Sequence, residues 1–287
     1  MATDISAHFD TLFPSRIFVD FQKLTALLRS TVTVQPVMGA VDVKFKRKGI
    51  FGSGVKARNG DVPIFDTAHS TVSCTVSDLY STSLIDDMDK FKTNGNEQQT
   101  NAEGHAAELA RKSDGVVLTA LDAATTVMNQ TAGVVDGEFT YVLWQSLLRT
   151  FMTRNVPLGG ITMVVGPEQR MQFDRFVSAG GGAFPITVSG DFNNGKPLQS
   201  DPSMGVTWQS INVITTTGLP AGVDGGGAFT KCFAYHRDAV GLALQESPNL
   251  MYDRVPLKDA TLITARMAMG SVIIQDAGVV EFDCRNT

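Results

Sequence analysis

Val41-Asp42-Val43-Lys44-Phe45-Lys46 alternates without a break: Val41, Val43 and Phe45 point one way, Asp42, Lys44 and Lys46 the other. A period of two predicts a strand with one buried face. The chain then passes Lys48, Gly49, Gly52, Gly54, Lys56 and Gly60 to a second extended stretch around residues 62–65. Two strands joined by a glycine-rich, basic tip describe a long hairpin. Such a ribbon is marginal by itself in water, so it must lie against another surface.

Downstream, residues 71–85 resume a strand through Val72, Cys74, Val76 and Leu79, ending at Asp86-Asp87-Met88-Asp89. The strongest helical signal follows. Ala102, Ala106, Leu109, Ser113, Val117, Ala120, Ala124 and Val127 recur at spacings of three and four, an amphipathic seam. Running from residue 97 to 128, that helix would be about 48 Å long. Gly104 and Gly115 each weaken it by about 1 kcal/mol relative to Ala, so packing must support it. A second helix follows Asp136, with Phe139, Leu143, Leu147 and Phe151 on one face.

Residues 161–165 form a continuous apolar run, a buried strand. Pro167-Glu168 then opens a helix with proline in its first turn and an acid at its positive end. It carries Met171, Phe173, Phe176 and Val177 and stops at Gly180-Gly181-Gly182. Further strands are expected at 211–215, 232–235, 240–244, 262–268, 272–274 and 279–282. In front of the hairpin, residues 1–38 look like an arm. Ile17, Phe18, Val19 and Phe21 are apolar without a local partner pattern, and Leu24, Leu27 and Leu28 suggest one short helical piece.

Bulk properties narrow the function. Of the 287 residues, 43% are apolar and only 18% charged, below the usual quarter, which suits a chain that hides much of its surface in oligomers. A net charge of −5 and a pI near 5.4 argue against a dedicated nucleic-acid binder. Cys74, Cys232 and Cys284 are far apart in apolar stretches, and an odd count without CxxC spacing predicts reduced core thiols. The opening residues carry no signal-peptide pattern, and no apolar run approaches the length of a membrane span. The expectation is a protein made in, and for, a cytoplasm, without a membrane.

Residues able to carry chemistry do not assemble into a known pattern. Asp86, Asp87 and Asp89 are the wrong spacing for an EF-hand loop, and acids bordering a strand or helix account for them more simply. His105 and Glu108 share a helix face but lack a second ligand pair, while His8, His69 and His236 are scattered. His236, ahead of Arg237-Asp238, suits an ion pair or a cap. Gly195-Lys196-Pro197 is no phosphate loop, since proline removes an N–H where one is needed. Gly225-Gly226-Gly227 reads as a turn. No GxSxG, HExxH or SxxK occurs. No cofactor, metal or catalytic residue is expected.

Three stretches taken in order resemble the Hong Kong 97-type (Johnson-fold) major capsid proteins of tailed phages, especially their podovirus-like branch. The first runs from Pro36-Val37-Met38-Gly39 through the hairpin to Thr71-Val72-Ser73-Cys74-Thr75-Val76 and Leu84-Ile85-Asp86-Asp87-Met88-Asp89. The second is Glu108-Leu109-Ala110-Arg111-Lys112-Ser113-Asp114-Gly115-Val116-Val117-Leu118. The third is Ala234-Tyr235-His236-Arg237-Asp238-Ala239-Val240-Gly241-Leu242-Ala243, followed by Ala265-Arg266-Met267-Ala268-Met269-Gly270 and Ala277-Gly278-Val279-Val280. The resemblance spans nearly the whole chain.

It implies an α+β fold with an N-terminal arm (1–38), an extended β-hairpin loop (39–72), a peripheral domain with a long spine helix (73–153 and 240–287) and an α/β axial domain (154–239). The implied function is a major capsid protein that self-assembles into pentamers and hexamers, forming an icosahedral head around double-stranded DNA without reading its sequence. The implied partners are other copies of the chain, a separate scaffolding protein, a portal and a decoration protein. The implied location is the virion, with the host cytoplasm during assembly. Lys44, Lys46, Lys48 and Lys56, together with Phe18 and Phe21, are the candidate assembly contacts. The lysines would reach acidic patches on the next protomer, setting register more than affinity. Their region is also where some members cross-link through a Lys–Asn isopeptide, but no Asn acceptor is identifiable. Two alternatives stay open: an encapsulin-like nanocompartment shell, and a cytoplasmic α/β enzyme built on 154–239.

Overall fold

Alternation and helical periodicity are resolved into a mixed α+β chain in the computed structural model, which describes residues 26–88, 97–131, 134–178, 206–208 and 211–286. A 3-10 turn at Arg29–Thr31 leads to strand β1 (Thr33–Pro36), the paired strands β2 (Asp42–Lys48) and β3 (His69–Thr75), and β4 (Ser77–Asp86). Helix α1 (Glu97–Leu121) precedes the short strands β5 (Val127–Met128), β6 (Gln130–Thr131) and β7 (Val134–Val135). Next come α2 (Tyr141–Thr153), β8 (Ile161–Val165), α3 (Pro167–Ser178), β9 (Val206–Trp208) and β10 (Ile211–Thr215). The chain closes with β11 (Ala221–Asp224), β12 (Gly227–His236), β13 (Val240–Val255), β14 (Ala260–Ile273) and β15 (Val279–Arg285).

β8 is buried at all five positions because it runs inside a mixed sheet of order β5-β15-β12-β8-β10-β9, with β11 added on β12. It pairs parallel with β10 and antiparallel with β12. Alternate residues Ile161, Met163 and Val165 join Ile211, Val213, Cys232, Ala234, Val280, Phe282 and Cys284 in one core. α2 covers it with Leu143, Trp144, Leu147 and Phe151, and α3 adds Phe173. Each such side chain contributes about 1.5–3 kcal/mol on burial. Local sequence fixes how α2 enters. Thr140 Oγ1 accepts from the Leu143 N–H at 3.4 Å, and Phe139 meets Trp144 edge-on at 6.5 Å between centroids. That is an N-cap with a hydrophobic staple.

A second sheet has the order β1-β13-β14-β4. The described residues divide into two compact units, one from Asp78–Lys112 and Glu246–Ala268, the other from Ala26–Ser77, Ser113–Gln245 and Met269–Thr287. The seven-stranded sheet and its aromatic core belong to the second unit.

Several expectations change. α1 ends at Leu121 rather than near residue 128, and Val127–Met128 instead pairs parallel with β15. The β-branched run Thr125-Thr126-Val127 favours that outcome. β2 pairs with His69–Thr75, and residues 62–65 form no strand. Pro63 has no N–H to give a ladder. The stretch at 71–85 is two strands, broken at Val76, whose N–H goes to Val41 O at 2.9 Å. The helix after Asp136 starts at Tyr141. Phe18, Phe21, Leu24, Asp89 and Gly180–Gly182, like His8 and Gly195-Lys196-Pro197, lie outside the described residues. All three cysteines are free and buried.

Candidate assembly surface

The hairpin of β2 and β3 has two unlike faces. Val43, Phe45 and Cys74 turn inward onto Ala243, with Val37, Val76, Val272 and Ile274 packed around them. The contact is close. A Cβ on Gly241 would stand 2.7 Å from the Phe45 ring, and one on Gly270 2.2 Å from the Thr75 carbonyl oxygen. The ribbon therefore does rest on another surface, as its instability alone requires.

Lys44, Lys46 and Lys48 line the outward face, exposed and opposite Ser73, Thr71 and His69. They sit along the strand rather than at its tip. The register explains it: Lys48 is still paired, so the turn lies beyond. The tip belongs to residues 49–68, which contain Lys56 and Arg58. Gly49 N–H donates to Ala68 O at 2.8 Å, extending the ladder one step. Lys48 Nζ lies 4.5 Å from the Phe51 ring centroid. Phe65 packs across Gly52 and Gly54, where a Cβ would meet its ring at 2.8 Å in both cases. At the far end Asn59 takes φ 65°, and Gly60 N–H closes a turn on Ala57 O.

Within this loop Ile50 is 98%, Val55 99% and Ile64 93% exposed, beside the exposed Phe51, Val62 and Phe65. Scattered apolar surface residues are ordinary, but this many in one segment mark an interaction surface. Sequence reading found the cations and passed over this apolar set. Its signal was available in Ile50-Phe51 and Ile64-Phe65, each beside glycine or proline.

The segment before the hairpin is fastened from below. Asp114, buried on α1, accepts from the backbone N–H of Leu27 at 3.2 Å and of Leu28 at 3.0 Å. Thr31 Oγ1 donates to Leu28 O at 2.7 Å and sits 2.5 Å from the Tyr235 hydroxyl. β1 then pairs parallel with β13, Thr33 opposite Gly241. Sequence reading missed Asp114, although an acid next to Ser113 on the helix seam asks for a buried partner.

The remaining candidates have structural roles. Asp86 caps the Met88 N–H at 2.8 Å, and Asp87 accepts from Thr261 Oγ1 at 3.2 Å and faces Arg254 at 3.6 Å. His105 lies between Ser81 Oγ and Ser83 Oγ at 2.7 and 2.8 Å, and burial lowers its pKa. Glu108 pairs with Arg111 instead of joining it. His236 Nδ1 accepts from the Asp238 N–H at 3.2 Å, so Nε2 carries the proton toward Gly159 O at 3.0 Å. It caps the turn at Arg237–Ala239. Among the described residues, no group of three or more His, Cys, Asp or Glu is placed to hold a metal ion, and no helix is long and apolar enough to cross a membrane.

Comparison with known proteins adds the wider setting. A family model described as phage capsid protein matches residues 5–286. No curated protein sequence matches. Among solved structures, the capsid of cyanophage P-SCSP1u aligns with TM-score 0.73 at 14% identity, over 100% of this chain and 96% of that one. The head structure of Helicobacter pylori bacteriophage KHP40 gives 0.72 at 10%, covering 99% and 97%. The capsid of a native GTA particle gives 0.71 at 12%, covering 99% and 98%. At such identities these likenesses speak for the fold.

Proposed function

The chain belongs to the phage capsid protein family, and from that premise we propose that it is the major capsid subunit, assembling with copies of itself into the phage head. The observation that carries the contact reading is the 49–68 loop, whose Ile50, Val55 and Ile64 side chains no described residue covers. A subunit that shows such a segment lowers its free energy by laying it on a neighbour. Many contacts of this kind, each weak, add up to a stable shell because every engaged copy raises the local concentration of the next.

In this reading residues 1–38 are the arm, 39–72 the extended loop, 73–153 with 240–287 the peripheral domain, and 154–239 the axial domain around pentamer and hexamer axes. Lys44, Lys46, Lys48 and Lys56 meet acidic patches on the next protomer, and Phe18 and Phe21 pack on a neighbour. The shell encloses double-stranded DNA without sequence recognition. A scaffolding protein and a portal act during assembly in the host cytoplasm, a decoration protein binds the finished shell, and the mature location is the virion. The role is structural rather than enzymatic. No observation favours a cargo nanocompartment or an α/β enzyme.

Negative-stain electron microscopy of the expressed chain, alone and with the protein encoded upstream, tests this. Closed shells or capsomer rings are expected. Discrete dimers under every condition would sink the reading.

A further inference from the structure

β15 carries an uncommon row of charge. Val280, Phe282 and Cys284 enter the aromatic core, so Glu281, Asp283 and Arg285 fall on the opposite face. Glu281 is 3% exposed and Asp283 0%. Directly across on β12 stands Lys231, the register partner of Asp283. Its ammonium turns elsewhere. Nζ lies 3.2 Å from Glu281 Oε1 and 2.7 Å from Asp122 Oδ1, just past the end of α1.

Asp283 keeps one donor, the Gln130 side-chain amide on Oδ2, while its Oδ1 is buried without a partner. Arg285, the nearest other cation along the strand, is committed to Asp224 and to the carbonyls of Gly227 and Val135. Two carboxylates thus share one ammonium, and the third and deepest holds a bare oxygen. A buried ionised carboxylate with an unsatisfied oxygen is far less stable than the neutral acid. Binding a proton neutralises the buried carboxylate and relieves that cost.

We propose that Asp283, together with Glu281, is a proton-binding site that tightens the β12–β15 seam as the pH falls. The proposal is independent of shell building. Burial raises the pKa of both acids, with Lys231 pulling the other way. A carboxyl whose folded pKa exceeds its unfolded one withholds stability at neutral pH. It restores that stability as pH falls through the folded value. Asp224, held at about 2 by Arg285, keeps its charge throughout that window.

The test compares melting of the full chain, in one assembly state, as wild type, Asp283→Asn and Glu281→Gln. At neutral pH Asp283→Asn is expected to melt above wild type by roughly 2–4 °C, and the difference closes as the pH falls. Glu281→Gln is expected to flatten the same pH dependence. Amide exchange of Cys232 and Phe282, corrected for intrinsic rates, slows on acidification in wild type and stays level in Asp283→Asn. Asp283→Asn melting below wild type with a parallel pH curve, or wild-type protection that ignores pH, would overturn the proposal.

Discussion

Thr31 Oγ1 and the Tyr235 hydroxyl lie 2.5 Å apart, both out of water, and join the first described turn to an interior strand of the large sheet. Thr31 spends its hydrogen on Leu28 O, so Tyr235 is the donor. Burial pushes the Tyr235 pKa up, which keeps it a neutral donor at any physiological pH. Tyr235→Phe removes one buried bond and leaves Thr31 its other, a cost of about 1 kcal/mol. The expected readout is faster proteolysis within residues 26–36 with the sheet intact. Asp114→Ala, which strips the acceptor from two backbone N–H groups, is expected to act in the same direction and more strongly. An arm segment equally protected in both variants would contradict this anchoring.

Two glycines are predicted to respond with opposite signs to alanine. At Gly270 the added carbon would stand 2.2 Å from a backbone oxygen, which cannot move without dragging β3, so Gly270→Ala is expected to cost about 2–3 kcal/mol. Gly104 lies in α1 with nothing within 4 Å of the new carbon, and Gly104→Ala is expected to stabilise by about 0.5–1 kcal/mol. Denaturant midpoints of the two variants against wild type decide both.

Acid should unfasten the β11–β12 turn. Asp224 accepts from Arg285, from Val135 N–H and from Gly226 N–H, and these hold its carboxyl down to about 2. A depressed carboxyl gives stability that is present above the unfolded value and lost as pH falls toward 2. Asp224→Asn is therefore expected to lower the melting temperature at neutral pH and to remove part of the steep loss in strong acid. His105 acts in a different window. Burial lowers its pKa, so the fold favours the neutral ring, and protonation below its ordinary value costs stability. A melting profile of Asp224→Asn that runs parallel to wild type down to about pH 2 would refute the Asp224 assignment.

Much of this fold was legible because its signals are local. The five buried residues of β8, the helical spacing of Leu143, Leu147 and Phe151, and the alternation of Val43 and Phe45 each declare their geometry within a few positions. What stayed hidden depends on distant partners. Val62, Ile64 and Phe65 look extended and apolar, so the sequence alone points to 62–65 as the strand that pairs with β2. Only the ladder to His69–Thr75 shows that these side chains are outside. Asp114 and Lys231 were likewise invisible, because their partners lie 86 residues before one and 109 residues before the other. For the assembly surface, the lysines were visible as charge, whereas the apolar loop looked like half of a strand.

That loop gives the most direct separation of assembly from folding. Ile50, Val55 and Ile64 are almost fully exposed, so replacing all three by Ser removes little that is buried within the subunit, and its melting temperature should move by less than about 2 °C. Shell formation should fail, because the apolar area a neighbour would cover is gone. Lys44, Lys46 and Lys48 to Glu is expected to give the same pattern by a different route. Reversing three exposed charges leaves the inward row of Val43 and Phe45 untouched but repels an acidic neighbour, and raising the salt concentration should partly restore assembly in that variant alone. Sedimentation of each variant beside its melting curve reads both properties at once. Wild-type particles from the serine variant would show that the loop is not the contact. Loss of folding in either variant would show that it belongs to the subunit's own core.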